Sequence, residues 1–365
     1  PMGAPGDVSF PAVTTATLSN GIEVVVAPRP TVPVVQVALR FDAGAATDQI
    51  ALPGGKGGKP GLADMTMSLL DEGTKKYSVS ELAEAIESEG AILGASSGDD
   101  HAQVYLSALK ENLRPSLALM AELTRNATFP AEEIEKQRKR ILDGLDQEKA
   151  NGIALAVRAI YPALYGEDHP YAGEPTIEEA KAAVSAIDRS DLVAWRDAWL
   201  QPSTAKIFVT GDTTAKEIMP ELERAFGNWR GNSFSAEKTV PVVPDPEHPK
   251  VIVINQPGTP QTVILAGELA APTGGDEDTA ITAMNNIIGG TFLSRLNMNL
   301  REDKGWTYGA GSFIPNRVGQ RPMIFYAPVQ SDQTGPSIVE MQKEIGNFIA
   351  GEPATEEELQ RVIAD

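Results

Sequence analysis

Cysteine is absent from this chain, and histidine occurs only three times, at His101, His169 and His248. Without cysteine the chain has no disulfide, no thiol nucleophile and no thiolate metal site. The histidines are 68 and 79 residues apart (101 to 169 and 169 to 248), so none forms the helical i, i+4 pair that holds a metal. Each follows an acidic residue in a turn-like context, and we interpret all three as surface or loop histidines.

Basic residues and long apolar runs are also scarce. Lys and Arg number 31 against 50 Asp and Glu, which gives a net charge of −19. Phosphate contacts need clustered cations, so we expect no nucleic-acid or anionic-membrane partner. The small basic run at residues 136–140 is interpreted as a solvated helix face. No run approaches the roughly 18 apolar residues of a membrane span, and no signal peptide is visible.

The length of 365 residues exceeds the roughly 250–300 residues of a single core, so we expect at least two domains. The chain begins Pro1-Met2-Gly3, which is not a natural start; a processed mature protein or a cloning scar would begin in this way. Residues 357–365 have helical spacing without a capping Gly or Pro, and we expect a helix that continues in the natural protein.

Turn and capping signals predict most of the secondary structure. Asn20-Gly21 between two apolar runs predicts a hairpin within residues 14–42, and Ser78-Val79-Ser80-Glu81 is a capping box that opens a helix. Apolar periodicity predicts further helices at residues 61–70, 112–124, 131–149, 191–200 (capped by Ser190) and 214–226. Strands are predicted at residues 34–41, 207–209, 251–254 and 262–269.

The second half of the chain repeats the order of the first. Residues 107–141 and 327–363 both run from a strand end through a proline, a helix, a loop and a second proline to an acidic helix start. We interpret this as a duplicated α+β unit; two unrelated mixed domains are the alternative. We predict a first domain at 8–230, a Pro-rich linker at 231–250 and a second domain at 251–365, cut off at its C-terminus.

Two stretches carry a family resemblance. One is residues 61–74, and the other runs from Gly289-Gly290 through Ser294-Arg295-Leu296 and Leu300-Arg301-Glu302 to Gly305 and Tyr308. Both resemble the M16 (insulinase, pitrilysin and processing-peptidase) family of zinc metallopeptidases in its bacterial M16B form, and the resemblance covers nearly the whole chain. It implies an α+β fold of two homologous domains, each a mainly antiparallel sheet packed with helices, as in one half of a clamshell.

The family's zinc motif is His-x-x-Glu-His on a helix, with a distal Glu about 76 residues later. In this sequence the two His positions fall on Asp64 and Ser68, the general-base position on Met67 and the distal position on Gly144. A shift of one residue would offer Asp143, which would have no partner ligands. Thioether and hydroxyl groups are poor zinc ligands, so we expect no catalytic zinc and no other cofactor in this chain.

The second half of the family's chemistry is intact at Arg301 and Tyr308. The resemblance implies that both contact the substrate, because a phenol can donate to an oxyanion and a guanidinium can hold a peptide carbonyl. In the alternative reading, Arg301 pairs with nearby acidic residues and Tyr308 is a strand aromatic. Trp306 fits either a substrate pocket or a packed strand. The run Asp99-Asp100-His101 is interpreted as a solvated turn rather than a metal or acid–base cluster.

By this resemblance we expect the zinc-free subunit of a heteromeric M16B peptidase that cleaves peptides. A partner chain with His-x-x-Glu-His would supply zinc, and this chain would supply Arg301 and Tyr308. Two alternatives stay open: a catalytically inactive structural or assembly subunit, and a stand-alone peptide-binding module. We expect a periplasmic location, or otherwise a cytoplasmic one.

Overall fold

A computed structural model describes residues 11–174, 176–232, 234 and 237–364 of the chain. Within these residues the strands are β1 (Thr14–Thr17), β2 (Glu23–Pro28), β3 (Val34–Phe41), β4 (Ala51–Leu52), β5 (Lys56–Gly57), β6 (Ile92–Ser97), β7 (Ala102–Leu109), β8 (Ala205–Gly211), β9 (Gln261–Ala270), β10 (Gly311–Phe313) and β11 (Arg321–Gln330). The helices are α1 (Leu62–Ser68), α2 (Val79–Ser88), α3 (Leu113–Asn126), α4 (Ala131–Glu148), α5 (Gly152–Tyr165), α6 (Ile177–Ala186), α7 (Arg189–Trp199), α8 (Ala215–Phe226), α9 (Asp278–Asn285), α10 (Arg295–Asn297), α11 (Thr334–Ala350) and α12 (Glu356–Ala364).

The described residues form two compact units. The N-terminal unit comprises the described residues of 11–144 and 178–239, and the C-terminal unit comprises those of 145–177 and 240–364. These limits differ from the domain limits drawn from the sequence (8–230, 231–250 and 251–365), because α5 packs against β9 and so belongs to the C-terminal unit. The first predicted domain starts at residue 8, outside the described residues, and its assignment stays a prediction.

The N-terminal unit is built on a six-stranded sheet with the order β1-β2-β8-β3-β7-β6. Every neighbouring pair is antiparallel except β2 and β8. Strand β3 alternates in burial, with Val35, Val37, Leu39 and Phe41 in the core, as expected for a sheet with one covered face. Helices α1 and α3 pack against β6 and β7, so α1 is fixed beside an edge of this sheet.

The C-terminal unit is built on an antiparallel three-stranded sheet with the order β10-β11-β9. Its core includes Ile288, Leu296, Leu300 and Phe325, which join the segment between α9 and β10 to the sheet. Strand β9 pairs with β11 along one edge, and within the described residues no strand pairs with its other edge. The mixed α+β fold with mainly antiparallel sheets is therefore confirmed.

The predicted repeat of elements is present in both units. Strand β7 is followed by a 3₁₀ turn, α3 and α4, and strand β11 is followed by a 3₁₀ turn, α11 and α12. The predicted hairpin is also confirmed, because β1 and β2 pair around Gly21, whose φ of 94° suits glycine. Residues 357–364 are helical as predicted, and Asp365 lies outside the described residues.

Two local predictions are wrong. Helix α7 is capped by Asp188, whose side chain accepts from the Asp191 amide in a capping box, whereas Ser190 lies inside the helix and donates to Asp188. Residues 251–254 form no strand, although their β-branched run favours one. A strand needs a partner ladder, and none of the described residues supplies one here, so Val251 and Val253 are strongly exposed. No helix in the described part of the chain combines the length and apolar character needed to cross a bilayer.

Candidate functional site

The helix that carries the zinc-motif positions is α1, and its start is fixed by a carboxylate from outside the helix. Gly61 precedes α1 with a φ of 82°, which favours glycine. The amides of Gly61 and Ala63 donate to Asp48 at 2.7 and 2.8 Å. The carboxylate thus satisfies two helix-start donors and complements the positive end of the helix dipole. Helix α1 is consequently held in one orientation against its sheet.

The zinc-motif positions occupy different environments. Asp64 is exposed, Ser68 is half-buried, and Met67 is 1% exposed and belongs to the hydrophobic core. Gly144 is exposed on α4, and a Cβ added there would meet no atom within 4 Å. The position that would hold the general base therefore packs inward, and the remaining three offer one carboxylate.

The carboxyl of Glu72, which follows α1, interacts with charged residues on α4. Burial raises the pKa of Glu72, the charges of Asp71 and Glu133 raise it further, and Arg140 and Lys136 lower it. Arg140 and Lys136 are one helical turn apart, and Gly144 follows one turn later on the same face of α4. Gly144 thus shares the face of α4 that interacts with the segment following α1.

A zinc ion does not fit these residues. Asp64 supplies one oxygen donor, and neither the thioether of Met67 nor the hydroxyl of Ser68 is a good zinc ligand. The neighbouring Asp143 pairs with Lys139, one turn earlier on the same helix. Among the described residues no group of three or more His, Asp or Glu side chains is arranged to hold a metal. Surrounding protein removes part of the hydration of Asp64 and raises the pKa of its carboxyl.

The histidines have structural partners or environments of their own. His169 is a buried loop residue whose Nε2 lies 3.0 Å from the Pro241 carbonyl and whose Nδ1 accepts from the Tyr171 amide. Burial lowers the pKa of His101, and the Arg40 charge lowers it further. Asp100 beside it is buried and lies 3.6 Å from Lys238, so this turn is not the solvated one that the sequence suggested.

The basic run at residues 136–140 is also not a single solvated face. Arg138 is largely buried and donates to the carbonyls of Val184 and Ile187, which ties α4 to the end of α6. Lys136 and Lys139 lie at the surface and pair with acidic residues on α4. The run is therefore part structural and part solvent-facing.

Arg301 lies in a π-helical turn, Met298–Asp303, which continues α10. The wider turn is seen in the bond from the Lys304 amide to the Asn299 carbonyl, and such turns recur at functional sites. The guanidinium carbon of Arg301 lies 4.6 Å from the centre of the Phe292 ring, and Nη1 donates to Glu302 at 2.6 Å. The sequence alternative, in which Arg301 pairs with an acidic neighbour, is thus present, but the neighbour, Glu302, is itself exposed.

Tyr308 projects into solvent from a backbone that is fixed on both sides. Its side chain is 92% exposed, and it lies in a bend rather than in a strand. Before it, the Trp306 carbonyl accepts from the Gln330 amide at 3.0 Å, and the Thr307 hydroxyl donates to Pro328 at 2.6 Å. After it, the Ala310 amide donates to Asn297 at 3.1 Å. A phenol held in this way is available to a ligand without a rearrangement of the backbone.

Trp306 packs against the core instead of lining a pocket. Its side chain is half-buried against the core of the C-terminal unit, and Lys304 Nζ lies 5.7 Å from its ring centre. Sequence reasoning missed Asn297 and Phe292, which contact the Arg301 and Tyr308 segments. The signal was the Asn directly after Ser294-Arg295-Leu296, at a position that helical spacing alone treats as polar surface.

Known proteins share this fold. The chain superposes on the peptidase M16 inactive domain from Pseudomonas fluorescens with a TM-score of 0.84 at 23% identity, over 96% of this chain and 82% of that one. It superposes on a protease from Helicobacter pylori with a TM-score of 0.85 at 19% identity, over 97% of this chain and 83% of that one. The fold of the chain is thus the one found in these M16-like structures.

Sequence comparison leads to the family. Residues 23–169 match the model "Insulinase (Peptidase family M16)", and residues 186–365 match the model "Peptidase M16 inactive domain". An uncharacterized zinc protease of Rickettsia bellii is 24% identical over 307 residues, which are 83% of this chain and 71% of the relative. The chain belongs to peptidase family M16, with the zinc-motif positions in the first matched region and Arg301 and Tyr308 in the second.

Proposed function

We propose that this chain is the zinc-free subunit of a heteromeric M16B-type metallopeptidase. The observation that carries the proposal is an asymmetry between two sets of residues. The helix face that holds zinc in the family carries Asp64 and Ser68, and Met67 packs into the core. Tyr308, by contrast, is 92% exposed on a fixed backbone. The zinc-motif positions are therefore unsuitable for zinc, whereas the Tyr308 phenol is available to a ligand.

In this proposal Arg301 and Tyr308 act on a peptide that a partner chain attacks. The Tyr308 hydroxyl donates to the oxygen that becomes negatively charged as the scissile carbonyl turns tetrahedral. The Arg301 guanidinium donates to a neighbouring peptide carbonyl. A partner with His-x-x-Glu-His supplies zinc, the attacking water and the base.

Substrates in this proposal are peptides or unfolded polypeptides bound in extended form. An extended segment can add to the edge of a sheet through main-chain hydrogen bonds, and β6 and β10 are edge strands. The net charge of −19 favours basic peptides among such substrates. We propose a periplasmic location for the complex.

The test is reconstitution with a purified His-x-x-Glu-His protein of family M16 from the same source. We expect no stoichiometric zinc by elemental analysis and no peptide cleavage by this chain alone, and cleavage in the mixture. Tyr308→Phe should lower kcat/KM of the mixture by about 10²–10³, because one oxyanion donor is lost. Tyr326→Phe, on β11 of the same unit, is the matched control and should leave the rate unchanged.

Three outcomes would contradict the proposal. Zinc-dependent cleavage by this chain alone would place a metal site within it. Full activity of mixtures containing Tyr308→Phe or Arg301→Ala would instead favour a structural or assembly subunit. Micromolar peptide binding by the isolated chain, with no effect of the second protein on cleavage, would favour a stand-alone binding module.

A further inference from the structure

Phe292 is an exposed aromatic residue that contacts the Arg301 guanidinium. Its side chain is 62% exposed, so burial of the ring in the core does not account for its presence. The guanidinium carbon of Arg301 lies 4.6 Å from the ring centre, within the range of a cation–π interaction. Nη1 donates to Glu302, and the ring contact itself uses no N–H donor, so the other guanidinium N–H groups can bind a carbonyl.

Asn297 links the segment before Arg301 to the segment after Tyr308. It is 4% exposed, and its Nδ2 donates to the Phe292 carbonyl at 2.7 Å while its Oδ1 accepts from the Ala310 amide at 3.1 Å. Only this orientation of the amide satisfies both partners, since one is an acceptor and the other a donor. A single buried side chain therefore joins the backbone that holds the Phe292 ring to the backbone two residues beyond Tyr308.

We propose that Phe292 and Asn297 are positioning residues for Arg301 and Tyr308. The Phe292 ring and Glu302, to which Nη1 donates at 2.6 Å, together hold the guanidinium in place. Asn297 holds the Arg301 and Tyr308 segments in fixed relation, so that both donors meet one substrate together. The catalytic consequence rests on the proposed function, whereas the positioning itself is a property of this chain alone.

The positioning is measured first without a partner. In the chain labelled at arginine, NMR should show an upfield ring-current shift for the Arg301 guanidinium. Phe292→Leu should abolish the shift and Phe292→Tyr should restore it. Phe313→Leu removes another exposed ring of the same unit, which lies against Tyr326, and should leave the shift unchanged. An unshifted Arg301 in the unaltered chain, or a shift that persists in Phe292→Leu, would overturn the role of Phe292.

The role of Asn297 is measured by amide exchange. Asn297→Leu removes both hydrogen bonds, and the Ala310 amide should then exchange about ten-fold faster, as expected when one buried hydrogen bond is lost. The Gln330 amide, bonded to the Trp306 carbonyl, is the internal control for overall folding. Asn297→Asp keeps the acceptor for Ala310 and should retain slow exchange there. Unchanged exchange of Ala310 in a folded Asn297→Leu variant would overturn the link.

The catalytic consequence is measured in the reconstituted mixture. Phe292→Leu should lower kcat/KM by about ten-fold, which corresponds to about 1.4 kcal/mol, and Phe292→Tyr should rescue most of the loss. A full rate with Phe292→Leu, in a mixture that does lose activity with Arg301→Ala, would overturn this consequence. If Arg301→Ala leaves the rate unchanged although the NMR and exchange results hold, the proposed function fails and the positioning stands.

Discussion

The ion pair between Arg295 and Glu358 leads to a quantitative prediction for Glu358→Gln. Arg295 Nε and Nη2 donate to the two carboxylate oxygens at 2.7 and 2.8 Å, and the side chains are 14% and 16% exposed. The hydrogen bonds from Arg295 hold the pKa of Glu358 at about 2, below its ordinary value of 4.5. At about 1.4 kcal/mol per pH unit this fall gives an upper limit of about 3 kcal/mol, and residual solvent contact reduces it to about 2 kcal/mol.

The sign of the pH dependence follows from the lowered pKa. The pair contributes its full stability above the ordinary pKa of 4.5 and loses it as the pH falls towards 2. Urea denaturation should therefore show Glu358→Gln about 2 kcal/mol less stable than the unaltered chain at pH 7, with a smaller difference at pH 4 and the smallest at pH 3. Glu357→Gln, on the same turn of α12, is the matched control and should stay within about 0.5 kcal/mol. Equal stability of Glu358→Gln at pH 7, or a difference that does not shrink with falling pH, would refute this reasoning.

Two further predictions concern α1. Met67→Glu should lower the free energy of unfolding by about 2–4 kcal/mol, because a carboxylate would enter the core without a partner. The control is Asp64→His, at an exposed position, which should change the free energy of unfolding by at most about 0.5 kcal/mol. Urea titration measures both variants, and an unchanged stability of Met67→Glu would mean that residue 67 faces solvent. Asp64→Asn should raise the thermal midpoint of unfolding at pH 7 but not at pH 3. Desolvation raises the pKa of Asp64 above 3.8 because it penalises only the ionised carboxyl. The destabilisation by Asp64 therefore appears as the pH rises. An unchanged or lower midpoint at pH 7 would contradict it.

Local signals in the sequence predicted the secondary structure well where side chain and backbone interact within a few residues. The Ser78–Glu81 capping box is present with both of its reciprocal bonds, and the helix from residue 131 ends within one residue of its predicted end. Asp188 was missed as the cap of α7 because two capping residue types stand within three positions, and only the tertiary position of the helix selects one. Residues 251–254 have strand propensity, but pairing depends on residues far away in the chain.

The sequence predicted which element carries the zinc-motif positions, but not which of their side chains are buried. Counting along the motif placed Asp64, Met67 and Ser68 on a helix, and the structure places them on α1. Periodicity did not distinguish the exposed Asp64 from the buried Met67, because that requires the sheet against which α1 packs. The contacts of Asn297 and Phe292 were out of reach for a similar reason. They join segments through a π-helical turn, which shifts side chains away from the positions that a regular helical period gives.

One edge of β9 pairs with no strand in the part of the chain that the structure describes. Strand β9 carries one charged residue, Glu268, in ten positions, and the apolar residues 251–254 lie exposed in the same unit. Edges of this kind pair with strands of other molecules unless charge keeps them apart. We expect repulsion between copies with a net charge of −19 to oppose such pairing, and added salt to screen that repulsion beyond about 10 Å at 0.1 M. We therefore expect the chain to resist association best in dilute buffer, and least at high ionic strength or near its isoelectric point of about 4.6.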